Sequence, residues 1–170
     1  MTKYVALLRG IGPSNPNMHG TKLKSVLEDL GFSNVRTLIS SGNVLFESES
    51  EDVATMGATI EAAWPVKLGF NSTSIIRSQP QLQALVGQDP YNGSEHSRQS
   101  YQLVTFFKHP QADLKENYYG VNNVNALCSV IDTTTAKTPD FMAKLERRFG
   151  KEITSRTWNT VLRILKKMET

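Results

Sequence analysis

One cysteine, three histidines and no long apolar run set the first limits on this 170-residue chain. Cys128 alone permits no intrachain disulfide and no thiolate zinc site, which predicts a reducing, cytoplasmic setting. His19, His96 and His109 are scattered without His-x-His or His-x-x-x-His spacing, so no metal site and no resident cofactor is expected. The apolar stretch Val5 to Leu8 ends at Arg9, too short for a secretory signal or a bilayer span, and no membrane partner is expected. Gly-x-Ser-x-Gly and Ser-x-x-Lys are absent, as are a P-loop and Gly-x-Gly-x-x-Gly. These absences remove the common serine-nucleophile and phosphate-cradle enzymes. Whether the chain is an enzyme at all stays open.

What is present is an ordinary globular composition, 39% hydrophobic and 21% charged, with an uneven charge distribution. Residues 1–90 hold 7 Lys/Arg against 8 Asp/Glu, net −1, while residues 144–170 hold 8 against 3, net +5. The formal charge of +3 therefore belongs to the C-terminal segment. Such a segment reads as a solvated helix face or as a surface that attracts anions.

Periodicity orders the first half as β-α-β-β-α-β. Tyr4 to Leu8 reads as a buried strand, and Leu23, Val26, Leu27 and Leu30 fall on one helix face closed by Gly31. Val35, Thr37 and Ile39 alternate, then Ser40-Ser41-Gly42-Asn43 turns into Val44 to Phe46. Glu51 and Asp52 open a second helix bearing Val53, Met56, Ile60, Ala63 and Trp64, which Pro65 is expected to end or kink. Thr73 to Ile76 closes the set. A short helix follows over Gln81 to Val86, and the turn-rich stretch 89–100 reads as a linker.

The second half is predicted as a strand from Gln102 to Phe107, a short helix near Leu114, a strand from Ala126 to Ile131 and two helices. The first of these starts at Thr138-Pro139-Asp140 and ends at Gly150. The last carries Trp158, Val161, Leu162 and Leu165 inward, after a Thr154 to Thr157 segment read as its N-terminal cap. No sequence repeat relates the halves. The expected fold is α+β: a ferredoxin-like βαββαβ N-terminal half, residues 1–88, packed on a second small α+β half, residues 101–170, ending in two helices.

A ferredoxin-like half invites comparison with RNA-recognition motifs, but Asn43 and Leu45 stand where stacking aromatics are needed. Arg9 ends the first strand and opens a loop rich in Gly and Asn, a permissive place for an anion. In the final helix Asn159, Arg163, Lys166 and Lys167 share one face. That face is the candidate for nucleic acid. Ser40 or Ser41 with a lysine is the residual nucleophile candidate.

Four ordered blocks carry a resemblance: Tyr-Val-Ala-Leu-Leu-Arg-Gly-Ile (4–11), Leu-Gly-Phe-x-Asn-Val-Arg-Thr (30–37), Ser-Gly-Asn-Val-x-Phe (41–46) and Arg-Thr-Trp-Asn-Thr-Val (156–161). In them the chain resembles the bacterial domain-of-unknown-function family 1697. The resemblance implies an α+β fold of two subdomains, the first ferredoxin-like, and no particular activity. Members usually follow Arg-Gly-Ile with Asn-Val-Gly-Gly, where this chain has Gly12-Pro13-Ser14-Asn15-Pro16-Asn17, whose prolines remove two backbone donors. The family's Ser-Lys is similar to Ala136-Lys137. The blocks nominate Arg9, Gly10, Ser41, Gly42, Asn43, Lys137, Arg156 and Asn159 for one surface. The leading expectation is an anionic small molecule or nucleotide in a cleft between the halves. Nucleic acid on Arg163, Lys166 and Lys167 is the alternative, and the oligomeric state is left open.

Overall fold

The computed structural model describes residues 1–40, 42–112, 114–120 and 124–170. Contacts group the chain into two compact units, Met1–Gln79 with Lys167–Thr170, and Pro80–Lys166.

In the first unit the elements run β1 (Thr2–Leu8), a 3-10 turn (Pro16–Met18), α1 (Gly20–Asp29), β2 (Ser33–Thr37), β3 (Asn43–Ser48), α2 (Val53–Leu68) and β4 (Ser74–Ser78). The sheet order is β2-β3-β1-β4, every neighbouring pair antiparallel. This is the expected ferredoxin-like arrangement. Tyr4, Ala6 and Leu8 of β1 and Val44 and Phe46 of β3 pack with Leu23 and Leu27 of α1 and Ile60 and Trp64 of α2. The intervening residues Val5, Leu7, Leu45 and Ile75 are buried as well. That double burial is why β1 and β3 read as continuous apolar runs rather than as an alternation.

Pro65 does not end α2, which continues to Leu68 and closes on Gly69 with φ 77°. One lost backbone bond is outweighed by the fully buried Ile60 and Trp64 on the same helix. Strand β2 stops at Thr37, and Ile39 takes a left-handed φ of 59°, costly for a β-branched side chain.

In the second unit follow α3 (Gln79–Gly87, whose first residue belongs to the first unit), β5 (Tyr101–Phe107), β6 (Tyr118–Tyr119), β7 (Ala126–Ile131), α4 (Thr138–Phe149), β8 (Ile153–Thr157) and α5 (Trp158–Met168, whose last two residues belong to the first unit). The sheet order is β6-β7-β5-β8, again antiparallel throughout. Leu103, Phe107, Ile131, Leu145 and Ile153 form its core, with Phe107 set edge-on to Phe149 at 5.0 Å.

Three expectations are corrected here. Leu114 lies in a loop packed on this core rather than in a helix. Residues 154–157 form strand β8, paired with β5, and of them only Thr157 caps α5, its Oγ1 accepting from Thr160 N–H at 3.2 Å. On α5, Leu162 is 38% exposed while Ile164 and Met168 turn inward.

The two sheets repeat one plan, which the side chains conceal. Leu8 N–H donates to Gly42 O (2.9 Å) as Phe107 N–H donates to Asn125 O (3.0 Å). Arg9 N–H donates to Thr73 O (2.9 Å) as Lys108 N–H does to Glu152 O (3.1 Å). Val5 faces Arg77 in the same register as Val104 faces Arg156. Gly42 and Asn125 both hold positive φ, 83° and 54°. The helix between the first two strands is the part without a counterpart among the described residues of the second unit.

Candidate functional site

The sequence-nominated residues of the first unit meet at the end where β1 finishes and β3 begins. Gly42 O receives Leu8 N–H, and the Arg9 backbone is pinned from both sides: its N–H reaches Thr73 O, and its O accepts from Ser72 Oγ at 2.7 Å. Gly42 has a reason to be glycine beyond its φ. A Cβ there would stand 2.8 Å from Ile11 Cγ1 and 3.1 Å from Leu8 Cβ. Asn43 is 1% exposed, its Nδ2 donates to Leu38 O (3.0 Å), and Leu38 N–H donates back to Asn43 O (3.1 Å). Gly42 and Asn43 thus close the β2–β3 hairpin against the following loop. Ser41 lies outside the described residues.

In the loop after Gly10 (φ 75°) several polar groups bond one another, while Asn17 Nδ2 donates to Leu68 O (3.1 Å). Asn15 Oδ1 accepts from Asn17 N–H (3.0 Å), Asn15 N–H donates to Gly12 O (3.2 Å), and His19 Nε2 meets Pro13 O at 3.1 Å. A separate groove of about 400 Å³ on this unit is lined by Lys22, Ser25, Val26, Asp29, Lys67 and Leu68, and holds none of the nominated residues.

In the second unit the register settles the geometry. Ile131 lies opposite Tyr101 and Thr157 opposite Leu103, so β7 and β8 both finish at the end where β5 begins. Helices α4 and α5 therefore both start there. Lys137 is the exposed N-cap residue of α4 and makes no side-chain capping bond. Asn159 is exposed in the first turn of α5. Arg156 lies on β8 opposite Val104, 8% exposed, donating to Thr154 Oγ1 (2.7 Å) and Ser155 O (2.8 Å). Burial pushes its pKa down to about 10, which leaves it cationic at neutral pH. Arg163 and Lys166 are exposed further along α5, and Lys167 is half-buried.

Sequence reasoning missed Arg77. It sits on β4 directly ahead of α3, 6% exposed, and donates to Ile76 O (2.8 Å) as Arg156 donates to Ser155 O. The shared signal is an arginine followed by Ser or Thr immediately before a helix, Arg77-Ser78 and Arg156-Thr157.

Among the described residues no three His, Cys, Asp or Glu side chains are grouped to hold a metal ion, and no helix is long and apolar enough to cross a membrane. Cys128 is buried on β7 beside Tyr91, and burial raises its thiol to about 12. Tyr91 is raised as well, first by burial and then by the nearby thiol. Both acids have folded-state pKa values above their unfolded ones, so their stabilisation is complete below the unfolded pKa and is lost as pH rises. We expect stability to fall as the pH climbs from 9.0 toward 12, because the unfolded thiol ionises before the buried one. Urea midpoints across that range, with Cys128→Ala losing this slope, check it.

Residues 1–124 match the model of the family described as "Protein of unknown function (DUF1697)". The chain belongs to this family. The Arg156 to Val161 block lies beyond the stretch of the DUF1697 match. No curated protein matches the chain. Among solved structures it is similar to the conserved bacterial protein SP0830 from Streptococcus pneumoniae, at 20% identity and a TM-score of 0.73, over 100% of this chain and 99% of that one. That likeness covers both units.

Proposed function

We propose that this DUF1697 protein binds a small anionic molecule, of the nucleotide or phosphorylated-metabolite class, at the end of the second sheet where β5 begins. The observation that carries this is the placement there of Lys137, Asn159 and the two helix starts, at the end where β8 also finishes. Helix N-termini present N–H groups and a partial positive charge to an anion. The repeat supplies a comparison. The residue equivalent to Lys137 is Asp52, whose carboxylate caps α2 through Thr55 N–H (3.1 Å) and Thr55 Oγ1 (2.7 Å). At α4 a cation stands where α2 carries its own anion. Asp132, at the same end, has its carboxylate engaged by Thr134. Asp140 in the first turn of α4 is the acidic group that competes. A cytoplasmic location suits the single buried thiol.

Thermal unfolding in the presence of ATP and of inorganic pyrophosphate tests the reading. A ligand at about 100 times its Kd adds about 2.7 kcal/mol, a shift of several degrees. We expect Lys137→Glu to abolish the shift and Asp140→Asn to enlarge it. No shift with either probe at millimolar concentration overturns the proposal.

A second reading is favoured by Asn159, Arg163 and Lys166, exposed along one face of α5. If that face binds nucleic acid, affinity falls steeply with salt, and Arg163→Gln reduces the salt slope by about one. A small-ligand site leaves Arg163→Gln with the wild-type thermal shift.

A further inference from the structure

Between α3 and β5, Asp89 to Ser94 fold into consecutive tight turns. Asp89, Asn92 and Gly93 have φ of 47°, 52° and 72°. Asn92 N–H donates to Asp89 O (3.0 Å) and Ser94 N–H to Tyr91 O (2.9 Å). These turns seat Tyr91, whose hydroxyl donates to Leu103 O (2.7 Å) and whose ring meets Trp158 edge-on at 5.2 Å. Asn92 and Gly93 are exposed. An asparagine before glycine is chemically labile, because the glycine nitrogen has no neighbouring Cβ to obstruct its approach to the asparagine side chain. Here that nitrogen is occupied: Gly93 N–H donates to Asp89 Oδ1 at 3.1 Å.

We propose that Asn92–Gly93 is a deamidation site whose rate is set by the Asp89 carboxylate. The reaction begins when the Gly93 amide loses its proton to hydroxide. The nitrogen then bonds to Asn92 Cγ, and the side-chain amide leaves as ammonia, taking a proton from water. Water opens the resulting succinimide at either carbonyl, giving aspartate or isoaspartate. The balance is one water consumed and one ammonia released, with no oxidant. Asp89 opposes the first step twice. It holds the proton that must leave, and its negative charge disfavours both hydroxide and the amide anion nearby. Isoaspartate adds a methylene to the main chain, which breaks the turns that seat Tyr91.

The test incubates the full chain in mildly alkaline buffer and follows Asn92 by peptide mass spectrometry and by enzymatic methylation of isoaspartate. We expect Asp89→Ala to modify roughly tenfold faster than wild type, the factor a charge-assisted hydrogen bond is worth. Asp89→Asn, which keeps an acceptor and loses the charge, falls between and carries the test if Asp89→Ala folds poorly. Asn92→Ser removes the signal, and aged Asp89→Ala melts at a lower temperature than fresh material. Equal rates in wild type, Asp89→Asn and Asp89→Ala overturn the proposal, as does an Asp89→Ala chain whose Asn92 stays intact.

Discussion

Gly42→Ala lowers stability by about 2–4 kcal/mol, while Gly10→Ala costs about 1 kcal/mol. Both glycines hold positive φ, 83° and 75°. A side chain at either therefore pays for a left-handed backbone. Only Gly42 adds a steric term, since its Cβ would press on Ile11 and Leu8, whereas nothing lies within 4 Å of a Cβ at Gly10. Urea unfolding of the two variants separates the terms. Equal losses would mean that Ile11 moves aside without cost, and the close approach of the two loops would then not constrain the hairpin.

Trp64→Ala is the larger of two tryptophan truncations, about 3–5 kcal/mol. Trp64 is 0% exposed, stacks on Phe70 at 5.6 Å and donates Nε1–H to Ser74 Oγ at 2.9 Å. Its removal opens a cavity behind β4 and strips a bond from Ser74, whose N–H is held by Glu61 Oε1 (2.9 Å). Trp158 is half-buried, so Trp158→Ala costs less than half as much. Domains of this kind hold roughly 5–15 kcal/mol in all, so Trp64→Ala brings the melting temperature down by many degrees. Calorimetry on both variants reads the difference; a Trp158→Ala loss equal to that of Trp64→Ala contradicts it.

The first half was legible because its cues agree. The Leu23, Val26, Leu27 spacing and the Asp52 cap each specify one local structure, and β1 and β3 are apolar runs. The second half carries contrary cues. Thr154 to Thr157 is hydroxyl-rich, and hydroxyl residues favour both helix caps and strands, so pairing with β5 decides what propensity leaves open. Strand β6 is two residues long, below what alternation reveals. Leu114 suggests a helix only if it is read apart from the loop that carries it to the core.

Site residues divide in the same way. Arg156 was found through a family block, and Arg77 was missed because its surroundings, Ile75-Ile76, read as plain strand. Gly42 and Asn43 were nominated for a ligand surface, and the Asn43 burial and the hydrogen bonds of both give them hairpin work that no residue-type argument distinguishes from ligand contact. Asp89 read only as a turn residue of the linker, because its bond to the amide four residues on shows only in the fold.

The paired sheets give this protein two solutions to one folding problem, written in different letters. Glycine in one and asparagine in the other satisfy the same left-handed corner, and aspartate and lysine stand before equivalent helices, only the aspartate bonding to the first turn. Backbone bonding is shared while surface charge differs, so each half supplies a ready control for experiments on the other: exchanging a single N-cap residue, Asp52→Lys or Lys137→Asp, changes the charge of one rim without asking the chain to learn a new architecture.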